Sequence, residues 1–257
     1  MCGRFVATTA PQQLALLFDA HLGDAASTEF VANYNVAPTT HVTTLVAEQK
    51  VAASAENTQA EMRADAQSDV PSNGARVLRR AHWGLLPSWS KDRSRAASMI
   101  NARSESLTEK PSFRPLLAAH RCAVLVDGYY EWRTVGVDTS VKQPKQPYFI
   151  RSPDSAPLAI AGLWTTWQDP LRNHTEVRSC SLITIAPNDR LAEIHDRMPC
   201  ILDGDALDEW LAGPEAPLHV LQTADNDRLI AVTVATAVNN VRNKGAELIV
   251  PTTTTLF

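Results

Sequence analysis

The run Cys122-Ala123-Val124-Leu125-Val126-Asp127-Gly128-Tyr129-Tyr130-Glu131-Trp132 sets a short, wholly apolar segment against an Asp-Gly break. An aromatic continuation with a single glutamate in it follows the break. A short apolar segment closed by turn residues reads as a buried strand. The same signature recurs outward from it. Strands are expected over 42–47, 122–126, 147–151, 158–163, 179–185, 199–202 and 229–235, most with Gly, Pro or Asp near their ends. Short helices interrupt them over 11–20, 113–120, 189–196 and 205–212. The first carries Leu14, Leu17 and Phe18 on one side. Asn188 is the expected cap of the third, and Gly213-Pro214 closes the fourth. The helices do not alternate regularly with the strands. The pattern predicts an α+β fold: a mainly antiparallel, barrel-like β-sheet core with short peripheral helices.

The chain has 257 residues, 44% of them hydrophobic, enough for a sizeable core. One domain over 2–257 is expected, with an insertion at 48–74 that is rich in Ala, Glu, Gln, Ser and Asp and lacks aromatics. That composition reads as a disordered excursion, because the motifs on either side belong together. No stretch is long and apolar enough to span a membrane, and no signal peptide is indicated. The four cysteines, Cys2, Cys122, Cys180 and Cys200, form no CxxC pair, so a reduced cytoplasmic setting is expected. The last three sit in apolar runs and read as buried small hydrophobes.

Net charge is −4, which argues against general coating of nucleic acid. Its distribution is uneven. Residues 76–103 carry Arg76, Arg79, Arg80, Lys91, Arg93, Arg95 and Arg103 against Asp92 alone, a local +6. Guanidinium forks suit phosphate, and a solvated basic face is the alternative. Within this segment lies His82-Trp83-Gly84-Leu85-Leu86-Pro87-Ser88-Trp89. Indoles among arginines offer faces for bases and charges for a backbone, as single-stranded nucleic acid requires. Trp89 reads instead as a core residue.

The chemistry-bearing residues are few. Met1 precedes the small residue Cys2, so removal of Met1 is expected. Cys2 would then carry an α-amine and a thiol on adjacent carbons, with ordinary pKa values of about 8 and 8.5. Such a 1,2-aminothiol condenses with an aldehyde to an imine and closes to a thiazolidine. Glu131, between Tyr130 and Trp132, has an apolar setting that raises a carboxyl pKa toward neutrality. An edge-strand glutamate facing water is the alternative. His195 follows a helix and could equally cap or pack. Asn101 carries no weight alone. No HExxH, zinc spacing, glycine-rich phosphate loop or GxSxG occurs, so no metal and no cofactor are expected.

Taken in order, these pieces resemble one family. The matching segments are Met1-Cys2-Gly3-Arg4-Phe5, Tyr34-Asn35-Val36-Ala37-Pro38-Thr39, Trp83-Gly84-Leu85-Leu86-Pro87-Ser88-Trp89 and Asn101-Ala102-Arg103-Ser104-Glu105. Gly128-Tyr129-Tyr130-Glu131-Trp132, Ala161-Gly162-Leu163-Trp164, His195-Asp196-Arg197-Met198-Pro199 and Val238-Asn239-Asn240-Val241 continue the series. The chain resembles the SRAP family, the SOS-response-associated peptidases, which include abasic-site processing proteins. The resemblance implies covalent capture of ring-opened abasic sites in single-stranded DNA through a Cys2 thiazolidine, with autocatalytic removal of Met1. It implies that Asn101 holds the Cys2 end, Glu131 transfers protons and His195 assists sugar-ring opening. Arg4, Arg103 and Arg197 resemble phosphate-binding arginines, and Pro38 and Trp83 the surfaces on which bases pack. Abasic single-stranded DNA and replication-fork proteins are the implied partners of a monomer, nucleoid-associated if the source is bacterial. One segment departs from the family pattern: Thr184-Ile185-Ala186-Pro187-Asn188 stands where Thr-Thr-Glu-Ala-Asn is usual. Three rivals remain: a non-covalent binder of modified DNA, a glutamine amidotransferase using Cys2, and a general cysteine peptidase pairing Cys2 with His195.

Overall fold

Strand β1 (Phe5–Ala7) opens the fold and is followed by helix α1 (Pro11–Leu17), β2 (Ala20–His21), β3 (Asn33–Val36), β4 (His41–Ala47) and β5 (Arg76–Trp83). Next come β6 (Asn101–Arg103), β7 (Arg121–Val126), β8 (Gly128–Thr134), β9 (Lys145–Arg151), β10 (Leu158–Asp169) and β11 (Thr175–Ile185). Helix α2 (Asp189–Ala192), β12 (Met198–Pro199), β13 (Ile201–Leu202), α3 (Gly204–Leu211) and β14 (Ile230–Thr233) complete the chain order. The computed structural model describes residues 2–27, 29–48, 75–136 and 144–252.

Five strands close on themselves in the order β5-β4-β7-β10-β11 and back to β5. Every pairing in that ring is antiparallel except the closing one, where β11 runs parallel to β5 with Ser179 opposite His82 and Cys180 opposite Trp83. Closure removes the exposed edges that an open sheet would leave. Leu45, Leu78, Ala123, Leu125, Ile160 and Leu182 on these strands are all buried. A second, antiparallel sheet runs β14-β9-β8-β1-β3. The expected mixed α+β, barrel-like architecture is therefore what the chain forms.

The run around Asp127-Gly128 joins the two sheets. Residues 121–126 are buried throughout and belong to the barrel, while 128–134 belong to the second sheet. Gly128 sits at φ 153°, and a Cβ there would lie 2.5 Å from the Phe149 ring and 2.6 Å from the Ile150 carbonyl oxygen. Only glycine tolerates both the backbone conformation and the close approach. Asp127 fixes the corner by accepting from the backbone N–H groups and hydroxyls of Thr8 and Thr9. This corner brings the N-terminal strand alongside β8.

Several elements differ from the sequence expectation. The first helix ends at Leu17, and Leu17 is exposed, because Phe18 turns out of the helix and Asp19 adopts φ 47°. The helix expected at 113–120 is a single 3₁₀ turn at Arg114–Leu116. Helix α2 stops four residues short of the expected end, although Asn188 caps it as expected, accepting from the Leu191 N–H at 2.9 Å. The strand expected at 199–202 is split at Cys200. The arginine-rich stretch 76–83 is barrel strand β5, which the charge pattern had masked. The 48–74 expectation falls outside the described residues except for Glu48, whose N–H bonds to the Ala75 carbonyl at 2.8 Å.

Candidate functional site

The chain from Cys2 to Arg4 continues β1 along the free side of β8. Phe5 pairs with Tyr129, and the Tyr130 N–H donates to the Arg4 carbonyl at 2.8 Å. On β8, side chains at 129 and 131 share one face and those at 130 and 132 the other. Glu131 therefore points the same way as Tyr129, toward the Cys2 end. Asn101, the first residue of β6, reaches across from the barrel and donates its Nδ2 to the Cys2 carbonyl at 2.8 Å. Cys2 is thus clamped between the second sheet and the barrel, and it is fully buried.

Burial changes its chemistry. Removal from water pushes the Cys2 thiol well above its ordinary range, the negative charge of Glu131 adds to that rise, and the Arg4 N–H opposes it. Unlike the thiol of a water-exposed 1,2-aminothiol, a thiol in this setting needs a base to remove its proton. Glu131 is 3% exposed, and its pKa is raised chiefly by burial, with the His195 charge and the Trp132 amide pulling it back. A carboxyl held this way exists in both protonation states nearer neutrality than an exposed glutamate does. It can give and take protons beside the sulfur.

His195 approaches from the loop after α2, and an ion pair between Arg133 of β8 and Glu193 at 3.8 Å spans the same boundary. The His195 Nδ1 accepts from the Arg197 N–H at 3.0 Å and lies 2.8 Å from the Asp196 carboxylate. The first contact suits the neutral ring and the second the protonated one, so the two partners between them accommodate both charge states. The departure at residues 184–188 leaves this corner well tied. Asn188 holds α2, its Nδ2 donates to the Ala224 carbonyl at 3.1 Å, and the Thr184 carbonyl accepts from Arg197 Nη2 at 2.5 Å.

The arginines do not present one basic face. Arg76 pairs with Asp208, Arg79 with Glu48 at 2.5 Å, and Arg93 with the buried Asp169 at 2.9 Å. The local excess of positive charge in the sequence is balanced in space by acidic groups from distant segments. Lys91, Arg95 and Arg103 remain exposed. Arg197 is held by Glu105 through two bonds of 2.5 and 2.9 Å, and Arg4 donates to Asn35 Oδ1 at 2.7 Å and to the Val238 carbonyl at 3.0 Å. Among the three arginines singled out in the sequence, only Arg103 is exposed.

The two tryptophans exchange their expected environments. Trp83 is fully buried, its ring 4.6 Å from that of Phe5, and its Nε1 donates to the Ile100 carbonyl at 3.1 Å. It has no face for a base; it buttresses the strand that carries Cys2. Trp89 is 60% exposed on the loop beside Pro87. Both neighbours are apolar or small, which is why local sequence could not rank them. Pro38 is half-buried, in a turn pinned to Trp83 by bonds from the Thr39 N–H to the Trp83 carbonyl and from the Trp83 N–H to the Thr40 carbonyl, both 2.8 Å.

One group escaped the sequence reading. The Tyr129 hydroxyl is buried and has no hydrogen-bond partner, and it lies within electrostatic reach of both Cys2 and Glu131. Period-two alternation from Glu131 was the signal that could have found it. Among the described residues, no helix is long and apolar enough to cross a membrane.

The chain is 34% identical over 255 residues to the abasic site processing protein YoqW of Bacillus subtilis (strain 168), spanning 97% of this chain and 99% of that one. It is 34% identical over 216 residues to the abasic site processing protein HMCES of Gallus gallus, spanning 74% of this chain and 61% of that one. A crystal structure of a protein from Bacteroides thetaiotaomicron shares the fold at a TM-score of 0.74, with 20% identity, 96% of this chain and 98% of that chain covered. The family model for SOS response associated peptidase matches residues 1–241, and the chain belongs to that SRAP family.

Proposed function

We infer that this protein captures abasic sites in single-stranded DNA by forming a thiazolidine between Cys2 and the aldehyde of the ring-opened sugar, after Met1 has been removed at the same site. The observation that carries this reading is that Asn101 donates to the Cys2 carbonyl while Glu131 lies within electrostatic reach of both Cys2 and His195, the four residues coming from four separate stretches of chain. The names of the curated relatives support the abasic site as the target.

The steps balance as follows. The α-amine of Cys2 adds to the aldehyde carbon, giving a carbinolamine. Protonated Glu131 gives its proton to the departing hydroxyl, water leaves, and a protonated imine and a Glu131 carboxylate remain. That carboxylate takes the thiol proton, and the sulfur closes on the imine carbon. Glu131 ends as it began, which is why a carboxyl accessible in both protonation states suits the task. Asn101 fixes the Cys2 carbonyl and thereby the direction of both nucleophiles. His195 serves the opening of the sugar ring, which exposes the aldehyde. Trp89 offers an exposed indole to a base, and Arg103 with Lys91 and Arg95 meets the phosphates. Arg197 is offered to phosphate on release from Glu105. A single strand presents the lesion without the unpairing that a duplex would require.

The test is incubation of the purified protein with uracil-containing single-stranded DNA pretreated with uracil glycosylase. A band that survives heat and detergent is expected, with a mass equal to protein lacking Met1 plus DNA minus one water. Intact DNA and Cys2→Ala should give none. A heat-stable band from Cys2→Ala, or an adduct that retains Met1, would overturn the reading. Retention of abasic DNA without any covalent product would favour a non-covalent binder.

A further inference from the structure

Tyr129 is fully buried, and its hydroxyl finds no hydrogen-bond partner in the protein. An unpaired hydroxyl in a dry interior is a standing penalty, and phenylalanine would fill the same volume without it. The penalty falls at one place. Tyr129 lies directly across from Phe5 on β1, two residues before Glu131 on the same face of β8, and it packs in the cluster that contains Cys2 and Phe5. Negative charge on either Cys2 or Glu131 strengthens its hold on its proton.

We propose that the Tyr129 hydroxyl is a further catalytic residue, the hydrogen-bond donor that receives the Cys2 sulfur as its proton leaves during ring closure. The proposal rests on the thiazolidine reading above. In that step the thiol proton passes to the Glu131 carboxylate. A sulfur electron pair forms the C–S bond, and the C=N π pair becomes the nitrogen lone pair. Nothing is oxidised or reduced, and Tyr129 keeps its own proton. Its role is confined to the interval in which the buried sulfur carries negative charge. Imine formation at the neighbouring nitrogen places no such charge on sulfur and does not need the hydroxyl.

The decisive experiment separates the two steps in Tyr129→Phe. Cyanoborohydride reduces the imine but not the thiazolidine, so quenching at intervals and weighing the intact adduct reads both. The variant should form imine at the wild-type rate, accumulate it, and close the ring roughly tenfold more slowly, the loss expected for one hydrogen bond to a charged group. Its Tm should be unchanged or higher. Ring closure at the wild-type rate overturns the proposal. So does an equal slowing of both steps, which marks a merely structural role, and so does a clear fall in Tm, which means that the hydroxyl is satisfied in the free protein. A parallel arm uses glycolaldehyde and protein lacking Met1, without DNA. If wild-type protein captures glycolaldehyde but not abasic DNA, the functional reading fails, and this arm still decides the role of Tyr129.

Discussion

Replacing Glu131 by glutamine should make the protein more stable and less active, and the stability gain should depend on pH in a defined direction. Glu131 is 3% exposed, and burial raises its carboxyl pKa above the ordinary 4.5. The folded protein therefore holds this proton more tightly than the unfolded chain does. Stability is greatest below the ordinary glutamate value and falls as the pH rises through the folded-state value, because above it the fold must accommodate a buried anion. Burying a carboxylate costs several kcal/mol, and the chain's terminal amine, the His195 charge and the Trp132 amide offset part of that. A neutral amide of the same shape should recover about 1–2 kcal/mol at pH 8, which for a chain of this length raises Tm by roughly 2–8 °C. Below about pH 4.5, where the carboxyl is protonated in both folded and unfolded chains, the difference should vanish. Calorimetry of both proteins from pH 4 to pH 9 reads this directly. Because glutamine can neither give nor take the proton, adduct formation should fall by about 10²–10⁴-fold. A Tm difference that is constant across the range, or a variant less stable at pH 8, would refute the placement of Glu131 as a burial-raised acid.

Two further outcomes test the surrounding framework. Trp83→Ala should lose about 3–5 kcal/mol of stability from a cavity beneath β1, whereas Trp89→Ala should leave Tm within 2 °C and weaken single-stranded DNA binding by about 1–3 kcal/mol; the reverse pattern in calorimetry and fluorescence anisotropy would restore the sequence-based assignment. Arg121 is 5% exposed and donates to the carbonyls of Leu117, Ala118, Trp210, Ala212 and Gly213, with no carboxylate partner among the described residues. Arg121→Met should therefore cost about 4 kcal/mol and lower Tm by roughly 8–16 °C, and a melting curve within 2 °C of wild type would show those carbonyls to be satisfied otherwise.

The barrel was legible where strands are apolar on both faces. Residues 122–126 and 158–163 are buried continuously, so composition alone marked them. Strand β5 was not legible, because the Arg76 and Arg79 side chains pair with Asp208 and Glu48 and the Arg80 N–H donates to Asp24, acidic groups that no local window contains. The same fact hid the true charge distribution, since neutralisation by Asp208 and Asp169 is a property of the closed fold. Of the proposed site, motif order singles out Cys2, Asn101, Glu131 and His195, and the structure adds the hydrogen bond from Asn101 to Cys2. What the motifs could not carry was environment. The thiol reads as ordinary in sequence and is deprived of water in the fold. Trp83 and Trp89 differ only in which side of a barrel strand end they meet. Tyr129 is indistinguishable in sequence from its neighbour Tyr130, whose hydroxyl donates to the Tyr34 carbonyl at 2.8 Å.

That contrast between adjacent tyrosines bears on how the site is built. Buried polar atoms in folded proteins nearly always find partners, and Tyr130 does. Near the Cys2 end, however, Asn101 Oδ1, Tyr129 Oη and Arg4 Nε are buried without one, and so are Arg197 Nε, His120 Nδ1 and Ser181 Oγ. Three of these side chains are held firmly by their other contacts: Asn101 through Cys2, Arg4 through Asn35, Arg197 through Glu105 and Thr184. Rigid placement with one donor or acceptor left over is unfavourable for folding and favourable for binding, because the group is already desolvated and aimed when a partner arrives. The Cys2 end holds Asn101, Tyr129 and Arg4 in that condition, whereas the five carbonyls around Arg121 are satisfied.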